Sequence, residues 1–442
     1  MRSLKKQLTS SQIIILGFAT VIFLGCLLLM LPFATQDGKG ASFLDALFTS
    51  TSAVCVTGLI VQDTATYWSL WGQFVIITLI QIGGMGVVTM AIAISILSGR
   101  RISLKQRSTM QEAISAHKVG GIVRLTGFII RTTVLLELLG ALIMAPTFCK
   151  EFGFMKGLWY AVFHSISAFC NAGFDLMGIK TQFSSLTYFI DNPAINIAIL
   201  SLIVTGGIGF MTWDDIKSHR YHFRRYRMQS KVILTTTALL IFFPALYFFF
   251  FEFAKAPLQE RIWSSLFQAI TPRTAGFNTA DLTQISEVGT AITILLMLIG
   301  GSPGSTAGGM KTTTFAVMLS TAVSVFRRRE HTHFFGRRVN EETIRNAATI
   351  LMMYMVLFLT GGFLISHLEN LPLLTCLYET ASAVGTVGLT LGITPELGNA
   401  SHLILILLMY IGRVGGLTLI FSTVSANKGN TSRLPLEKLT VG

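Results

Sequence analysis

Charged residues are scarce in this chain of 442 residues. Lysine, arginine, aspartate and glutamate together make up 12% of it, about half of the roughly 25% that is usual in a soluble domain. Apolar residues make up 52%, and phenylalanine alone occupies 33 positions. Because several apolar runs are long enough to cross a bilayer, this composition excludes an ordinary soluble domain and predicts an integral membrane protein.

Cysteine is scarce as well, and the five cysteines show no CxxC spacing and no nearby pair of histidines. They therefore predict neither a metal site nor a disulfide framework. The net charge of +13 comes from basic residues that cluster in a few loops between apolar runs. Such clusters indicate how a chain is oriented in a membrane, and we predict no nucleic-acid partner from them.

One short phrase occurs four times along the chain. Each copy is an apolar segment with small and hydroxyl residues that ends in a glycine, and the copies are residues 50–59, 163–174, 267–277 and 378–389. The third copy is one residue shorter between its aromatic residue and its glycine. A long repeat of this kind indicates the fold class, because four related units have to be arranged together.

Each copy lies between two long apolar runs. The predicted spans are 12–33, 73–97, 122–146, 194–213, 232–253, 288–325, 347–367 and 403–424. The segments with the glycines are about ten residues long, or about 15 Å of helix, which is half a bilayer, so they are expected to re-enter. The predicted fold is an all-α integral membrane protein of four tandem span–pore-loop–span repeats, with eight transmembrane helices and four re-entrant pore helices around one pore.

Basic residues concentrate at the N-terminus and in the loops at 99–121, 214–231 and 326–345. The positive-inside rule places both termini and these loops in the cytoplasm, so the glycine phrases enter from the outside. The run at 13–31 is too long for a signal peptide and is expected to remain as the first span. The predicted units are the N-terminus (1–11), four repeats with their preceding loops (12–98, 99–213, 214–325 and 326–426) and a cytoplasmic tail (427–442).

Four re-entrant segments can line one pore. Non-helical backbone is tolerated at membrane depth where it lines a watery path, and glycine permits conformations there that a Cβ would forbid. Converging carbonyl oxygens then replace the hydration shell of a cation. The alternative for any one copy is an ordinary helix end, where glycine is common. The predicted filter residues are Val56, Thr57, Gly58, Asn171, Ala172, Gly173, Thr274, Ala275, Gly276, Thr386, Val387 and Gly388.

A glycine-rich break at 300–312 interrupts the sixth apolar run, and the sequence indicates such a break in this repeat alone. It is predicted to form a mobile barrier under the filter, with a packing kink as the alternative. Its gate residues are Gly300, Gly301, Ser302, Gly304, Ser305, Thr306, Gly308, Gly309 and Lys311. Arg413, near the centre of the last predicted span, costs at least about 2.5–3.5 kcal/mol unless it faces the interior. We predict that Arg413 latches the break and repels cations, with a structural salt bridge as the alternative.

These motifs resemble those of the Trk/Ktr/HKT potassium transporters. The resemblance rests on Asn171-Ala172-Gly173-Phe174, on Thr274-Ala275-Gly276-Phe277 and on the Gly-Ser-Thr-Ala-Gly-Gly-Met-Lys run at 304–311. The eight-span plan is most similar to the membrane subunit of the bacterial Ktr system. The resemblance implies potassium uptake across the plasma membrane, with potassium as the substrate at the filter and the 300–312 segment as the gate.

In this family a glycine in every filter quarter goes with potassium preference, and a serine in the first goes with sodium. All four are glycine here, but none of the phrases reads Thr-Val-Gly-Tyr-Gly. A less selective sodium/potassium transporter therefore stays open, as does symport with sodium as activator or co-ion.

The resemblance also implies a homodimer with one pore per chain and a cytoplasmic ring of RCK (KTN) subunits that binds ATP or ADP. This chain itself is expected to hold no cofactor, because Met310 breaks the Gly-Lys pair that a phosphate loop requires. The basic loops are the expected docking surface for the ring, and anionic membrane lipids could use the same residues. The tail at 434–442 is apolar enough to dock at a dimer interface.

An enzyme is the competing class. Residues 300–304 fit G-x-S-x-G, so an intramembrane serine hydrolase would use Ser302 with His164, His367 or His402. A nucleophile elbow needs a strand–turn–helix context, whereas Ser302 lies in an apolar helical pattern. We therefore predict a protein with no catalytic residues.

Overall fold

The structure, a computed structural model, describes residues 9–97, 103–113 and 121–416. Sixteen α-helices in this part of the chain fall into four similar groups. The first group contains α1 (Ser10–Leu29), α2 (Phe43–Cys55), α3 (Leu70–Met85) and α4 (Val87–Leu97), and α5 (Leu104–Ala113) follows it. The second contains α6 (Ile122–Phe152), α7 (Phe154–Phe169), α8 (Pro193–Gly207) and α9 (Phe210–His219).

The third group contains α10 (Met228–Tyr247), which continues as a π-helix over Phe248–Glu252, then α11 (Leu258–Ile270), α12 (Glu287–Leu298) and α13 (Thr312–Phe326). An antiparallel ribbon of β1 (His333–Phe334) and β2 (Arg337–Arg338) precedes the fourth group. That group contains α14 (Glu341–Glu369), α15 (Leu373–Gly385) and α16 (Asn399–Val414). In every group one helix leads into the glycine phrase, and we call α2, α7, α11 and α15 the phrase helices.

Short 3₁₀ turns lie in the connections, at Pro32–Ala34, Met177–Ile179, Thr187–Phe189, Phe223–Arg225, Leu282–Gln284 and Thr394–Glu396. The helices after the first three phrases begin at side-chain caps. Ser69, Asn192 and Ser286 each accept a hydrogen bond from a backbone N–H in the first turn of α3, α8 and α12. A cap of this kind is typically worth about 1 kcal/mol, so local sequence fixes where these three helices start.

The helix that follows each of the first three phrases is interrupted, and the one after the fourth ends near the last described residue. α3 and α4 meet at 96° and so do α8 and α9, while residues 299–311 separate α12 from α13 and α16 ends before Gly415. Gly86, Gly209 and Gly415 occupy these breaks with φ of 85°, 92° and 88°, a region that favours glycine.

One prediction about these segments is therefore wrong. The runs at 73–97 and 194–213 form bent pairs, each of which is a broken span or a re-entrant loop by length and composition. The break at 300–312 is thus not confined to its own repeat, because the first two repeats are interrupted as well. The reason is that one glycine inside an apolar run is compatible with a continuous helix, so the pattern does not reveal the bend. The predicted last span, 403–424, extends beyond the described residues.

Three of the phrase helices pack closely on the first helix of their own repeat. Ser50 donates a hydrogen bond to the carbonyl of Ile22 (2.6 Å), Ser165 to that of Glu137 (2.5 Å) and Thr380 to that of Phe358 (3.2 Å). The partner helices carry glycines at these contacts, namely Gly25, Gly140, Gly361 and Gly362. A hydroxyl facing a glycine lets two backbones approach, which brings the phrase helices to the centre of the molecule.

By length and composition, four helical segments in the described residues could cross a membrane. They are Ser10–Leu29, Val123–Phe152, Met228–Glu252 and Glu341–Glu369. Each begins one of the four repeats, and counting the two bent pairs as spans raises the number to six. α12, α13 and α16 are shorter apolar helices. A helical membrane protein with several spanning segments is confirmed, while the count of eight stays a prediction.

Candidate functional site

The four phrase glycines, far apart in the sequence, meet in a closed ring. Their φ angles lie between 70° and 94°, a region that glycine adopts without steric strain. A Cβ built on one glycine would nearly touch the Cα of the next. The separations are 3.1 Å from Gly58 to Gly173, 2.9 Å from Gly173 to Gly276, 3.2 Å from Gly276 to Gly388 and 2.9 Å from Gly388 to Gly58. The ring therefore runs in chain order and leaves no room for a side chain.

Backbone carbonyl oxygens occupy the contacts between neighbouring glycines. A Cβ on Gly173 would lie 2.8 Å from the carbonyl oxygen of Ala275, and a Cβ on each other glycine would collide with the corresponding oxygen of the next quarter. The four oxygens belong to Thr57, Ala172, Ala275 and Val387. Carbonyl oxygens arranged in a ring can replace the water around a cation.

The residue two places before each glycine has left-handed backbone geometry. These residues are Val56, Asn171, Thr274 and Thr386, with φ of 57°, 60°, 68° and 53°. All four are buried. A β-branched residue with positive φ is strained, and such strain persists where the surroundings impose it, often at functional sites. The four quarters thus share one backbone path.

Several polar side chains beside this path have no hydrogen-bond partner among the described residues. They are the hydroxyls of Thr57, Thr274 and Thr386 and the Nδ2 of Asn171. Buried polar groups are usually paired. Three unpaired oxygens so close to the carbonyl ring increase the number of atoms that could face a cation.

A hydroxyl residue anchors each quarter to its phrase helix, and sequence reasoning gave it no role. It lies four residues after a fully buried aromatic side chain (Phe48, Phe163, Phe267 or Tyr378). The anchors are Ser52, Ser167, Thr271 and Ser382, and each carbonyl accepts a hydrogen bond of 2.8–2.9 Å from the N–H of the residue before the glycine. The constant spacing from the aromatic residue was the available signal.

The anchor hydroxyls also bond to the filter backbone. Those of Ser52 and Ser382 accept from the N–H of Gly58 (3.1 Å) and Gly388 (3.0 Å). Those of Ser167 and Thr271 donate to the carbonyl after the glycine, on Phe174 or Phe277. The residue missing from the third copy falls after its anchor, so the shorter copy keeps the same support.

We expect Ser382→Ala to leave the Gly388 N–H buried without a partner, at a cost of about 1–3 kcal/mol. The measurement is the midpoint of thermal unfolding of the purified protein in detergent, which should fall. Ser95→Ala is the matched control, because Ser95 is only partly buried and its hydroxyl bonds within its own helix, to the Ala91 carbonyl. Equal midpoints for the two variants would contradict the assigned anchor.

The segment at 299–311 packs directly against two of the four quarters. Thr306 donates from its hydroxyl to the carbonyl of Phe169 (3.0 Å), with Asn171 Oδ1 at 3.2 Å. A Cβ on Gly308 would lie 3.0 Å from Cγ2 of Thr386, and one on Gly309 would lie 2.7 Å from the carbonyl oxygen of Gly385, the last residue of α15. The segment therefore lies against predicted filter residues of quarters two and four.

Backbone hydrogen bonds tie the same segment to the helix breaks of its neighbours. In the second repeat, Ser302 N–H donates to Gly207 O (3.0 Å) and Phe210 N–H to Gly304 O (2.8 Å). In the fourth repeat, Gly412 O accepts from the Gly309 N–H (3.2 Å). Within the segment, Gly300 N–H donates to Met310 O and Gly301 O accepts from Thr312. The backbone groups freed by the break thus find partners inside the protein.

Two cationic side chains donate hydrogen bonds to this segment, one from within it and one from α16. Lys311 Nζ donates to the carbonyls of Ala307 (2.9 Å) and Gly308 (3.3 Å). Arg413 donates to the carbonyls of Thr306 and Gly83, and to that of Gly84 at 3.3 Å. Among the described residues it forms no ion pair, which disfavours the structural salt bridge.

Arg413 lies in the last turn of α16, which ends at Val414. Its predicted place near the centre of the span 403–424 stays a prediction, because that span extends beyond the described residues. Together with Lys311 and Ser305, Arg413 lines a cavity of about 220 Å³ that contains none of the twelve predicted filter residues. The two cations are thus placed beside the loop and the cavity rather than at the glycine ring.

The serine of the hydrolase alternative has no histidine beside it. The Ser302 hydroxyl lies 3.1 Å from that of Thr312. His164 is bonded to the Tyr160 carbonyl and the Leu176 N–H, and His402 to the Thr394 carbonyl. His367 is exposed. A nucleophile needs a base within hydrogen-bond reach, and the described residues supply none to Ser302.

Comparison with known proteins shows the family and the fold of this chain. The family model for TrkH, described as a cation transport protein, matches residues 6–432. The chain is 38% identical to the potassium/sodium uptake protein NtpJ of Enterococcus hirae, over 100% of this chain and 99% of that one. It is also 38% identical to the Ktr system potassium uptake protein B of Bacillus subtilis, over 96% and 94% of the two chains. A crystal structure of the potassium transporter TrkH from Vibrio parahaemolyticus superposes with a TM-score of 0.75 at 20% identity, covering 96% of this chain and 86% of that one, and it shows the shared fold.

Proposed function

The chain belongs to the TrkH family of cation transport proteins, and on this premise we propose that it takes up potassium through the ring of Gly58, Gly173, Gly276 and Gly388. The observation that carries the proposal is the closed ring itself, with a carbonyl oxygen at every contact between neighbouring glycines. Such a ring binds a dehydrated cation with backbone dipoles and needs no carboxylate. Relatives named as potassium uptake proteins support potassium as the substrate.

Selectivity for potassium follows from how tightly the ring is built. The glycines are packed so closely that an added Cβ on any of them would collide with a neighbouring quarter, and the residue two places before each glycine has positive φ. A site that keeps its size favours the ion that fits it. The second candidate is a less selective sodium/potassium transporter, which the name of the Enterococcus hirae relative supports.

The segment at 299–311 is the proposed gate of this pore. It lies against quarters two and four, and its glycines allow backbone rearrangement without side-chain clashes. Arg413 is the proposed latch, because its guanidinium joins the Thr306 carbonyl in the segment to the Gly83 and Gly84 carbonyls in α3. Its charge also opposes the passage of cations while the segment is closed.

The proposed setting is a plasma membrane crossed by eight spans, with both termini in the cytoplasm. The further proposal, which the resemblance implies, is a homodimer that works with a cytoplasmic RCK ring binding ATP or ADP. Three relatives named as proteins of a Ktr system support a membrane subunit within a multi-component system. Exposed arginines in the loops at 214–231 and 326–345 belong to the described part of its docking surface: Arg220, Arg224, Arg225, Arg227, Arg327, Arg328, Arg329, Arg337 and Arg338. The basic residues at 99–102 and 114–120 and the tail at 417–442 lie outside the described residues.

Ion flux into liposomes tests this function. With the membrane potential clamped, we expect the purified protein to pass potassium faster than sodium, and addition of the RCK ring with ATP or ADP to change the rate. A flux ratio near one would favour the second candidate. Flux of neither ion, with or without the ring, would overturn the proposed function.

A further inference from the structure

The residue that follows the buried aromatic side chain is polar in all four phrase helices. These residues are Thr49, His164, Gln268 and Glu379, and each is at most 3% exposed. Two of them are titratable and two are not. Since the ring runs in chain order, the two titratable residues belong to opposite quarters.

His164 joins its phrase helix to the chain beyond the filter of quarter two. Its Nδ1 lies 2.7 Å from the carbonyl of Tyr160, and its Nε2 lies 3.3 Å from the N–H of Leu176, three residues after Gly173. Because a carbonyl can only accept and an N–H can only donate, Nδ1 carries the proton and Nε2 accepts. The imidazole is therefore a neutral link with one defined orientation.

Glu379 makes the equivalent link in quarter four. Its carboxylate accepts hydrogen bonds from the hydroxyls of Thr390 and Thr394, the latter at 3.0 Å, and lies beside the backbone of Leu391. Leu391 is three residues after Gly388, just as Leu176 is three after Gly173. Two different side chains thus reach the same backbone position of their quarters.

Each link also continues to the next quarter around the ring. The imidazole of His164 lies 6.3 Å from the ring of Phe277, the residue after Gly276. From Glu379 the contacts run through Thr394 to His402, whose ring lies 5.2 Å from Phe48 in the first phrase helix. Quarter two is thus connected to three, and quarter four to one.

Quarters one and three lack this link in the described residues. The hydroxyl of Thr49 has no partner there, and Gln268 Nε2 donates to Thr293 in α12 of its own repeat at 3.2 Å. Quarter three is supported from outside its own phrase helix, by the Ser185 hydroxyl accepting from the Asn278 N–H. The filter is consequently held by two opposite links rather than by four equal ones.

We propose that His164 and Glu379 are positioning residues for ion selectivity, which fix the outer ends of quarters two and four. Each filter segment has an inner anchor, the hydroxyl residue, and in these two quarters an outer anchor three residues beyond the glycine. With both ends fixed, the carbonyls between them keep their separation when an ion of another size enters. The proposal rests on the proposed function, because it assigns these residues to the potassium filter.

The test uses one variant that breaks each link and one that keeps it. His164→Asn retains the group that faces Tyr160 but is too short to reach Leu176, whereas His164→Gln places an amide oxygen near Nε2. Glu379→Leu removes every acceptor, whereas Glu379→Gln keeps one oxygen. Thr49→Val is the matched control, since it removes a hydroxyl without a described partner.

The readout is the potassium-to-sodium flux ratio in liposomes, on full-length protein that elutes as the wild type does. We expect His164→Asn to lower the ratio about fivefold, as expected for the loss of one buried hydrogen bond. Glu379→Leu should lower it at least as much, because it removes the acceptor of two hydroxyl hydrogen bonds. The ratio of His164→Gln, Glu379→Gln and Thr49→Val should stay within about twofold of wild type. His164 and Glu379 are tested separately. If a variant at one of them fails to fold, the variants at the other still test the proposed role.

Other outcomes separate this inference from the proposed function. Unchanged ratios in the folded breaking variants would overturn the inference alone, since wild-type flux would still show a potassium pathway. An equal fall of the flux ratio in the variants that break a link and in those that keep it would also overturn the inference. A merely structural role for His164 and Glu379 would give such an equal fall. Absence of potassium flux in the wild type would overturn the proposed function instead.

Discussion

Gly58→Ser should lower the potassium-to-sodium flux ratio at least about tenfold, which corresponds to about 1.4 kcal/mol of lost discrimination. Gly58 has φ of 93°, and a Cβ there would collide with the Ala172 carbonyl and lie 3.1 Å from the Cα of Gly173. Those atoms are backbone and cannot rotate away, so the first two quarters must separate. A wider ring with a displaced carbonyl holds potassium less well, and the added hydroxyl offers sodium an extra ligand.

The matched control is Gly392→Ser. Gly392 also has φ of 93°, but a Cβ there meets nothing within 4 Å. It therefore carries the same backbone strain without touching the ring, and its flux ratio should equal that of the wild type. If Gly58→Ser and Gly392→Ser behaved alike in liposomes, steric displacement of the ring would not be what sets selectivity.

Arg413→Ala should raise potassium flux in the absence of the RCK ring by at least about tenfold. Arg413 donates to three carbonyls, in Thr306, Gly83 and Gly84, and hydrogen bonds from a charged group are each worth about 1.5–3 kcal/mol. Losing part of this energy is enough to shift a two-state gate tenfold. The substitution also removes a positive charge from the cavity beside the segment, which lowers the barrier to a cation.

Arg413→Lys is the comparison that separates these two effects. A lysine keeps the charge but loses the planar fork that joins Thr306 to the end of α3. Intermediate flux is expected if both the latch and the charge contribute. Unchanged transport in Arg413→Ala, at equal amounts of folded protein, would contradict the latch, and wild-type flux in Arg413→Lys would show that the charge alone matters.

Much of the site could be read from the sequence because it is built from backbone. The four glycines and the residues before them were identified as candidates from their repetition alone, and the structure brings them into one ring. The same repeats contain the anchors Ser52 and Ser382, but the sequence did not predict that their hydroxyls accept from the N–H groups of Gly58 and Gly388. In the sequence, a serine among small residues suggests only close helix packing. Its role as an anchor becomes visible when the structure shows the backbone N–H that donates to its hydroxyl.

The bends in the helices after the phrases were not predictable in the same way. Gly86 and Gly209 lie within long apolar runs, where a straight helix and a bent pair bury similar residues. Whether the helix is straight or bent depends on how closely its backbone packs against other segments. At Gly206, for example, a Cβ would collide with the backbone of Phe169.

The sequence by itself determined the membrane class, the four repeats and the glycines at which they meet, because composition and repetition are local properties that survive any arrangement. Only the tertiary structure decided the cyclic order of the quarters, the partners of Arg413 and the two outer links at His164 and Glu379. Each of these is a contact between residues far apart in the chain. Contacts of that kind depend on packing between repeats, and no periodicity in the sequence records them.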